Sequence, residues 1–366
     1  MGKQHHEVFT QNANVMTKKI KGALYCFLLS SAALFYTSVV FGQNEKKVKV
    51  EKVPKQDRID VLINDKPFTS FLYPDTLEKP VLYPVHAADG QIVTRGFPIN
   101  PQPGEPTDHP HHLGIWFNFE NVNGLDFWNN SYAIPADKKH LYGWIKTDRI
   151  INASGGKTGT ILYHANWTDQ KNNVLLEEVT KLSFSGTEHH RIIDRVTTLT
   201  ADTMVKFTDA KDGMYAIRLA HELQIPDKKD KEFKDDKGNV TVVKGGADDV
   251  ANGNYLTSEG KTGDDAWSTR GRWCKVYGKM GNDSMTVAII DHPENPNYPT
   301  FWHARGYGLF AANPLGEKIF TNGKSAKNLQ LKKGESVTFR FRIVIDSDNK
   351  TLSVAELNKL ADDFAK

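Results

Sequence analysis

The residues best suited to chemistry lie between positions 95 and 128. Three of the 13 histidines fall within four positions, in the run Asp108-His109-Pro110-His111-His112. Pro110 favours an extended backbone at His109, which would turn the imidazoles of His109 and His111 to one side and His112 to the other. Two imidazoles on one face can act as an acid/base pair near neutral pH. They could also bind a metal, with Asp108 or Glu120 adding oxygen. The structural alternative is a polar loop whose histidines bond to backbone carbonyls.

The same stretch contains further groups that suit substrate binding, namely Arg95, Asp108, Trp116, Glu120, Asp126 and Trp128. Two other clusters lie far away in the chain. Trp302, His303 and Arg305 follow a proline-rich loop, and His303 and Arg305 share one face of an extended segment. Glu259 and Trp267 accompany glycines whose spacing does not fit a phosphate loop. Charged groups are costly to scatter through an apolar core, so we expect the three clusters to meet around one concave pocket.

Several functional classes lack their sequence signatures. The chain contains no GxSxG, HExxH or CxxC motif, which are typical of hydrolases, zinc proteases and redox or zinc sites. Without residues 1–42 the chain has equal numbers of basic and acidic residues, so its charge does not favour a nucleic-acid partner. Cys274 is then the single cysteine left, and the fold must depend on a packed core rather than a disulfide.

The first 42 residues have the layout of a secretory signal. Met16 begins a basic segment, an apolar stretch follows from residue 23 to 41, and Val40 and Gly42 place residues of modest and small size three and one positions before the cleavage site. This pattern predicts cleavage before Gln43 and a periplasmic or secreted protein with no membrane contact after cleavage. We expect Met16 to be the true start. The alternative is a retained anchor, because about 18 apolar residues can span a bilayer.

Strand patterns dominate the remainder. Short runs rich in Val, Ile, Thr and aromatic residues alternate with Gly, Asn and Asp turns, and residues 337–343 alternate strictly between apolar and polar. Helical periodicity is clear only after the capping box at Ser353. The pattern predicts an all-β fold, a large antiparallel sandwich with a short C-terminal helix. We expect a flexible lead-in over residues 43–58 and one domain over residues 59–366.

Three stretches carry a resemblance to a known family: TRGFPINPQPGEPTDHPHHLGIWFNFENVNGLDFW, LTSEGKTGDDAWSTRGRWCKVYG and DHPENPNYPTFWHARGYGLFAANPLG. They resemble the bacterial PmoA-like family, often labelled methane oxygenase PmoA, over about residues 55–348. A particulate methane oxygenase subunit crosses the membrane several times, and this sequence has no candidate span after residue 42. The family is common in exported proteins of sugar-degrading bacteria. The C-terminal strand pattern resembles galactose-mutarotase-like β-supersandwiches, a fold that hosts sugar epimerases, lyases, hydrolases and glycan-binding proteins.

Together these features favour an exported, carbohydrate-active enzyme that needs no cofactor and no metal. His109 or His111 would be the base and His112 or His303 the acid. Arg95, Arg305 and Glu259 would orient the sugar, while indole faces stack on it; the indoles are those of Trp116, Trp128, Trp267 and Trp302. Two alternatives stay open: a glycan-binding protein without turnover, and the metal-dependent oxidative enzyme that the family label suggests.

Overall fold

Alternating apolar and polar residues form strands along most of the chain. The computed structural model describes residues 48–235 and 237–366, all in one compact unit. The strands are β1 (Val48–Lys52), β2 (Arg58–Ile63), β3 (Lys66–Leu72), β4 (Val81–Val85), β5 (Ile115–Phe119), β6 (Trp144–Ser154), β7 (Gly159–Thr168), β8 (Val174–Gly186), β9 (His190–Ala201), β10 (Val205–Lys206), β11 (Gly213–Arg218), β12 (Lys231–Lys234), β13 (Val240–Val243), β14 (Asn254–Thr257), β15 (Trp273–Met280), β16 (Asp283–Asp291), β17 (Phe301–Ala304), β18 (Leu309–Asn313), β19 (Gln330–Leu331) and β20 (Ser336–Asp348). The α-helices are α1 (Glu317–Phe320) and α2 (Val354–Phe364), and 3-10 turns cover Ala136–Leu141, His221–Leu223, Gly246–Asp248 and Gly263–Ala266.

Two eight-stranded antiparallel sheets make the body of the fold. The front sheet has the order β1-β2-β3-β4-β5-β11-β18-β17, and the back sheet has the order β14-β15-β16-β20-β9-β8-β7-β6. Two further pairs, β10–β19 and β12–β13, stand apart from them. This arrangement confirms the predicted all-β class. The capping box at Ser353 begins α2 as predicted, because its side chain accepts from the amide of Glu356.

The inner faces of the two sheets form the main core. Phe117 of the front sheet meets Trp167 and Phe339 of the back sheet, with ring centroids 6.2 and 5.8 Å apart. One ion pair is buried between the sheets, where Arg195 donates to Glu178 at 2.7 Å. Glu178 also accepts from a tyrosine hydroxyl and an indole N–H. This carboxylate is fully partnered, which satisfies a condition for keeping a charge pair in a core.

Each sheet also has a covered outer face. The amphipathic helix α2 lies on the back sheet, where Leu357 and Ala361 pack with Trp273 and Ile290. On the front sheet a second apolar cluster contains Val81, Trp116, Trp128, Ala216 and Ala311. Loops rather than a helix cover this second cluster. The outer face of the front sheet is therefore where irregular backbone can bring polar groups onto a rigid support.

We predicted a flexible lead-in over residues 43–58, and the structure corrects this for β1. Strand β1 lies within it and pairs along its whole length with β2. The reason is the apolar side chain of Val48, which is buried against the inner face of the sandwich. The export signal and the cleavage site before Gln43 lie outside the described residues. Within the described part of the chain, none of the helices has the length and apolar character that a membrane span requires.

Candidate active site

Strand register lines up one row of side chains across the outer face of the front sheet. Trp116 is opposite Ala216, Ala216 is opposite Ala311, and Ala311 is opposite His303. Directly paired residues point to the same face. The row therefore has large groups at both ends and two methyl groups between them. Small side chains at the centre leave room above the sheet for the histidine loop, which we define as residues 106–112.

Arg95 fixes the histidine loop. Its guanidinium is buried and donates to four backbone carbonyls of the loop, those of Pro106, Asp108, His109 and His112. It also donates to the carboxylate of Asp108 at 2.6 Å. We predicted Arg95 as a substrate-binding residue, but these bonds occupy it with the loop. Its role in the structure is to position the loop.

The loop is a tight turn rather than the extended segment that we predicted. His109 has a φ of +47°, in the left-handed region, and its carbonyl accepts from the amide of His112 at 3.0 Å. A turn brings together side chains that an extended strand would separate. His109 and His112 stack with ring centroids 4.8 Å apart. His111 meets them edge-on at 5.6 and 4.3 Å.

Asp108 joins the loop to the sheet beneath it. One carboxylate oxygen accepts from Arg95 at 2.6 Å and from Arg218 at 2.7 Å. The other oxygen lies 2.5 Å from Nδ1 of His109. Burial acts to raise the pKa of Asp108, but the hydrogen bond with His109 and the charges of both arginines hold it well below its usual range. Asp108 is therefore ionised at neutral pH.

Four aromatic rings form one parallel stack across the site. Tyr307 lies on His109 at 5.3 Å, His109 on His112 at 4.8 Å, and His112 on Trp116 at 5.2 Å. His109 is the exposed histidine of the loop, with 40% of its side chain accessible, whereas His112 is buried. The stack holds the plane of the His109 ring, so one polar group of the site is both oriented and open to solvent.

Burial keeps the other histidines neutral. It is the largest cause that lowers the pKa of His111, His112 and His303, and nearby positive charges add to it. For His303 the pKa falls to about 3. A group that is already neutral at pH 7 is a poor proton donor. This disfavours the predicted role of His112 and His303 as the acid.

Two neighbouring carboxyl groups, Asp212 and Glu120, have raised pKa values, and Asp212 lies beside His303. Oδ1 of Asp212 lies 3.5 Å from Nδ1 of His303. Glu120 accepts from the amide of Asp212 at 3.2 Å. Burial raises the pKa of both groups. The negative charge of Asp212 adds to the rise for Glu120, and that of Asp126 adds to the rise for Asp212, where Lys211 opposes it. Both groups keep a proton to a higher pH than usual, which suits a proton donor.

Lys79 lies beneath the stack, fully buried. Its ammonium has one hydrogen bond, 3.5 Å long, to the carbonyl of Trp128, and lies 5.9 Å from the centroid of the Trp116 ring. Burial lowers the pKa of Lys79 to about 8, against the attraction of Glu78 and Asp126. An ammonium has three donors, so this one is poorly satisfied.

Arg305 is the least constrained cation of the site. Its guanidinium lies 5.5 Å from the ring of Trp267 and 5.8 Å from that of Tyr307. Both rings are half-buried. The side chain makes no hydrogen bond or ion pair with any residue that the structure describes. Because Tyr307 also stacks on His109, Arg305 and His109 border the same ring.

The structure thus gathers most of the predicted residues, but with different roles for some. Trp116, Trp128 and Trp302 are each buried to within 1% of full burial, so their faces are not open to a sugar as we predicted. Trp302 points into the main core because it alternates with His303 along β17. Asp126 is occupied by the amides of Trp128 and Asn129.

Glu259 lies apart from this site. It is exposed on the turn after β14, and its one side-chain bond in the described structure is to Ser258 at 3.1 Å. The cluster at residues 258–270 therefore contributes Trp267 rather than its carboxylate. The expected meeting of three clusters holds for parts of each cluster only.

Four groups of the site were absent from the predicted set: Lys79, Asp212, Arg218 and Tyr307. Arg218 is fully buried, donates to Asp108, and lies 3.2 Å from Nδ1 of His112. A charged residue within the apolar strand β11 was the available signal for it. Lys79 directly precedes Pro80 and strand β4, and its burial depends on tertiary packing that its neighbours in sequence do not encode.

A cavity of about 690 Å³ borders residues 96–105, which precede the histidine loop in the chain. Its lining includes Glu105, Asn100, His221, Glu222 and Lys244, but none of the predicted site residues. We nevertheless place the candidate site at the histidine loop. Lys79 and Asp108, whose pKa values are strongly shifted, lie there, and such groups are concentrated at functional sites. Among residues 48–235 and 237–366, no three His, Cys, Asp or Glu side chains are grouped to hold a metal ion.

Comparison with known proteins gives a family but no activity. The model of DUF6807, described as a family of unknown function, matches residues 58–362. No curated protein sequence matches the chain. An α-galactosidase from Geobacillus stearothermophilus, AgaA, is 9% identical with a TM-score of 0.34 over 83% of this chain and 41% of its own. The galactosidase domain of AgaSK is 10% identical with a TM-score of 0.37 over 84% and 42%.

A galactose mutarotase related enzyme from Lactobacillus acidophilus is also 10% identical, with a TM-score of 0.26 over 84% of this chain and 99% of its own. The present chain spans about two fifths of the length of both galactosidase structures. TM-scores this low carry no conclusion about activity.

Proposed function

The chain belongs to the DUF6807 family, and we propose that it is an exported carbohydrate-active enzyme in which His109 performs acid/base chemistry on a sugar. The observation that carries this proposal is the Asp108–His109 pair. Asp108 is held ionised by two arginines and contacts Nδ1 of a histidine that is open to solvent. A carboxylate that orients an exposed imidazole is a recurrent acid/base arrangement.

The pair fixes which nitrogen of His109 reacts. An ionised carboxylate only accepts hydrogen bonds, so Nδ1 must donate to Asp108 and Nε2 has the free lone pair. When Nε2 takes a proton, the imidazolium is stabilised by the negative charge of Asp108. Arg95 and Arg218 keep that charge in place because both donate to Oδ1 of Asp108, the oxygen that does not contact His109.

A second group is needed to donate a proton, and Asp212 suits that role best. Its pKa is raised, chiefly by burial, so it holds a proton to a higher pH than an exposed carboxyl does, and it lies beside His303 of the front sheet. A positive charge on His109 lowers the pKa of Asp212, so protonation of His109 makes Asp212 a stronger acid. His303 would then position Asp212 rather than donate. Trp267 supplies a half-buried ring of the kind that packs against sugar C–H groups.

The test is a panel of glycans assayed with protein that begins at Gln43. We expect His109→Ala to lower turnover by roughly 10²–10⁴-fold, the usual effect of losing one general acid or base. Binding of the same glycan, measured by calorimetry, should persist. Asp108→Asn should cause a comparable loss, because an amide that donates to Nδ1 favours the tautomer in which Nε2 carries the hydrogen and has no free lone pair. The matched control is His189→Ala, which removes an exposed histidine on a distant turn.

Wild-type turnover in His109→Ala would refute the catalytic role. A glycan that binds tightly without being changed by the wild-type protein would instead favour a binding protein.

A further inference from the structure

Arg305 has a rigid backbone and an uncommitted side chain. It occupies the turn between β17 and β18, where its amide donates to Leu309 at 2.8 Å and its carbonyl accepts from Gly308 at 2.9 Å. The hydroxyl of the buried Tyr255 also donates to that carbonyl, at 3.1 Å. The chain is thus held on both sides of the residue, while the guanidinium has two ring neighbours and no acceptor in the described structure.

This contrasts with other arginines of the same molecule. Arg195 and Arg342 donate to the carboxylates of Glu178 and Asp194. Arg270 donates to the carbonyls of Asn297 and Pro299. A half-buried guanidinium loses part of its hydration, and acceptors normally replace that hydration. Arg305 therefore lacks a partner that comparable residues have.

The buried cations around the histidine loop also have few carboxylate partners. Arg95 and Arg218 share the single carboxylate of Asp108, and buried Lys79 has no carboxylate within bonding distance among the described residues. These three cations thus have one carboxylate within bonding distance in the described structure. The guanidinium of Arg305 lies between two rings and presents a planar fork that matches a carboxylate or sulfate.

We infer that the site takes an anionic sugar, whose negative group binds Arg305 between Trp267 and Tyr307. This inference rests on the proposed function, which supplies the sugar as ligand. It further specifies that the sugar is negatively charged. The anionic group can be the carboxylate of a uronic acid or a sulfate ester, which share the acceptor geometry that a guanidinium recognises. A neutral sugar would leave Arg305 without an acceptor.

Calorimetry with matched probes tests the inference without requiring turnover. The probes are oligogalacturonate, its methyl ester and a sulfated galacto-oligosaccharide. The ester keeps the sugar ring and removes the charge. We expect an acidic probe to bind the wild-type protein more tightly than the ester, by roughly 10- to 100-fold for one charged hydrogen-bonding group. Arg305→Gln should abolish that difference, and Arg305→Lys should restore only part of it.

Arg272→Gln is the matched control. Arg272 pairs with Asp362 of α2 on the back sheet, so its loss should leave the preference unchanged. Preference for the sulfated probe over oligogalacturonate would identify the anionic group as sulfate. Equal binding of acid and ester, binding of no anionic probe, or an undiminished preference in Arg305→Gln would each overturn the inference.

The outcomes separate this inference from the proposed function. Loss of charge preference in Arg305→Gln, together with unimpaired turnover in His109→Ala, would support the anionic ligand and reject the catalytic histidine. Loss of turnover in His109→Ala with equal binding of acid and ester would do the reverse.

Discussion

Lys79 illustrates at the scale of one residue how the site opposes the stability of the fold. Its ammonium is buried with one long hydrogen bond, and burial lowers its pKa to about 8. In the unfolded chain the same group keeps a pKa near 10.5. The folded pKa is depressed, so the folded state is disfavoured below pH 8 and becomes relatively more stable as the pH rises from about 8 to 10.5.

Lys79→Met should therefore stabilise the protein at pH 7. A shift of this size corresponds to about 3 kcal/mol of unfolding free energy, and Met has a similar volume without the charge. Urea denaturation at pH 7 and pH 10 measures the effect, and the gain should shrink at pH 10. Lys181→Met, at an exposed position on β8, should change stability by less than about 0.5 kcal/mol. A less stable Lys79→Met would show that the ammonium is satisfied.

For single residues, the sequence predicted which side chains lie at the candidate site but not the role of each. The three loop histidines, Asp108 and Arg305 do lie around one ring stack. Trp302 could have been assigned correctly, because alternation along one strand separates it from His303. Tyr307 and Lys79 could not, because a ring stack and a buried ammonium depend on partners from distant strands.

The histidine loop is the element that the site depends on most, and Arg95 is its anchor. One side chain serves four carbonyls and a carboxylate. The loop contains Pro110 and a left-handed His109, so it has little regular structure of its own. Its shape follows from a buried side chain outside it. The sequence pattern around Pro110 predicted an extended segment because that anchor is eleven or more residues away.

Arg95→Gln should destabilise the protein by about 3–5 kcal/mol, the range for removing one partner of a buried charge pair. Arg305→Gln is the matched comparison, because it removes a guanidinium with no described hydrogen bond, and the loss of its two ring contacts should cost at most about 1–2 kcal/mol. Chemical denaturation of both variants measures the difference. Equal stability of the two variants would show that the loop holds its shape without Arg95.

Over the whole molecule, buried neutral histidines make stability depend on pH. The folded pKa of His303 is about 3, against 6.5 in the unfolded chain. Between these values only the unfolded state binds the proton. The stability that His303 contributes is therefore complete above pH 6.5 and is lost as the pH falls towards 3. His111 and His112 act in the same direction.

His303→Gln should flatten this acid dependence by up to about 1.4 kcal/mol per pH unit below pH 6.5. Unfolding free energies of the variant and wild type at pH 7, 6 and 5 give the slope. The difference between two proteins is needed because Asp291 opposes the histidines. Burial raises its pKa to about 7, so its contribution is present at low pH and is lost as the pH rises to 7. Parallel slopes would mean that His303 is protonated in the folded protein.

The all-β class was predictable because alternation and turn residues are local signals, whereas strand order is not. The strand order has a consequence for folding during synthesis. Trp116, Ala216, Ala311 and His303 form one row although more than half of the chain's length separates the first from the last. Sheets built from such distant pairings fold slowly. The row is completed only when β17 and β18 add to β11, so it is incomplete in a nascent chain until Asn313 has been synthesised.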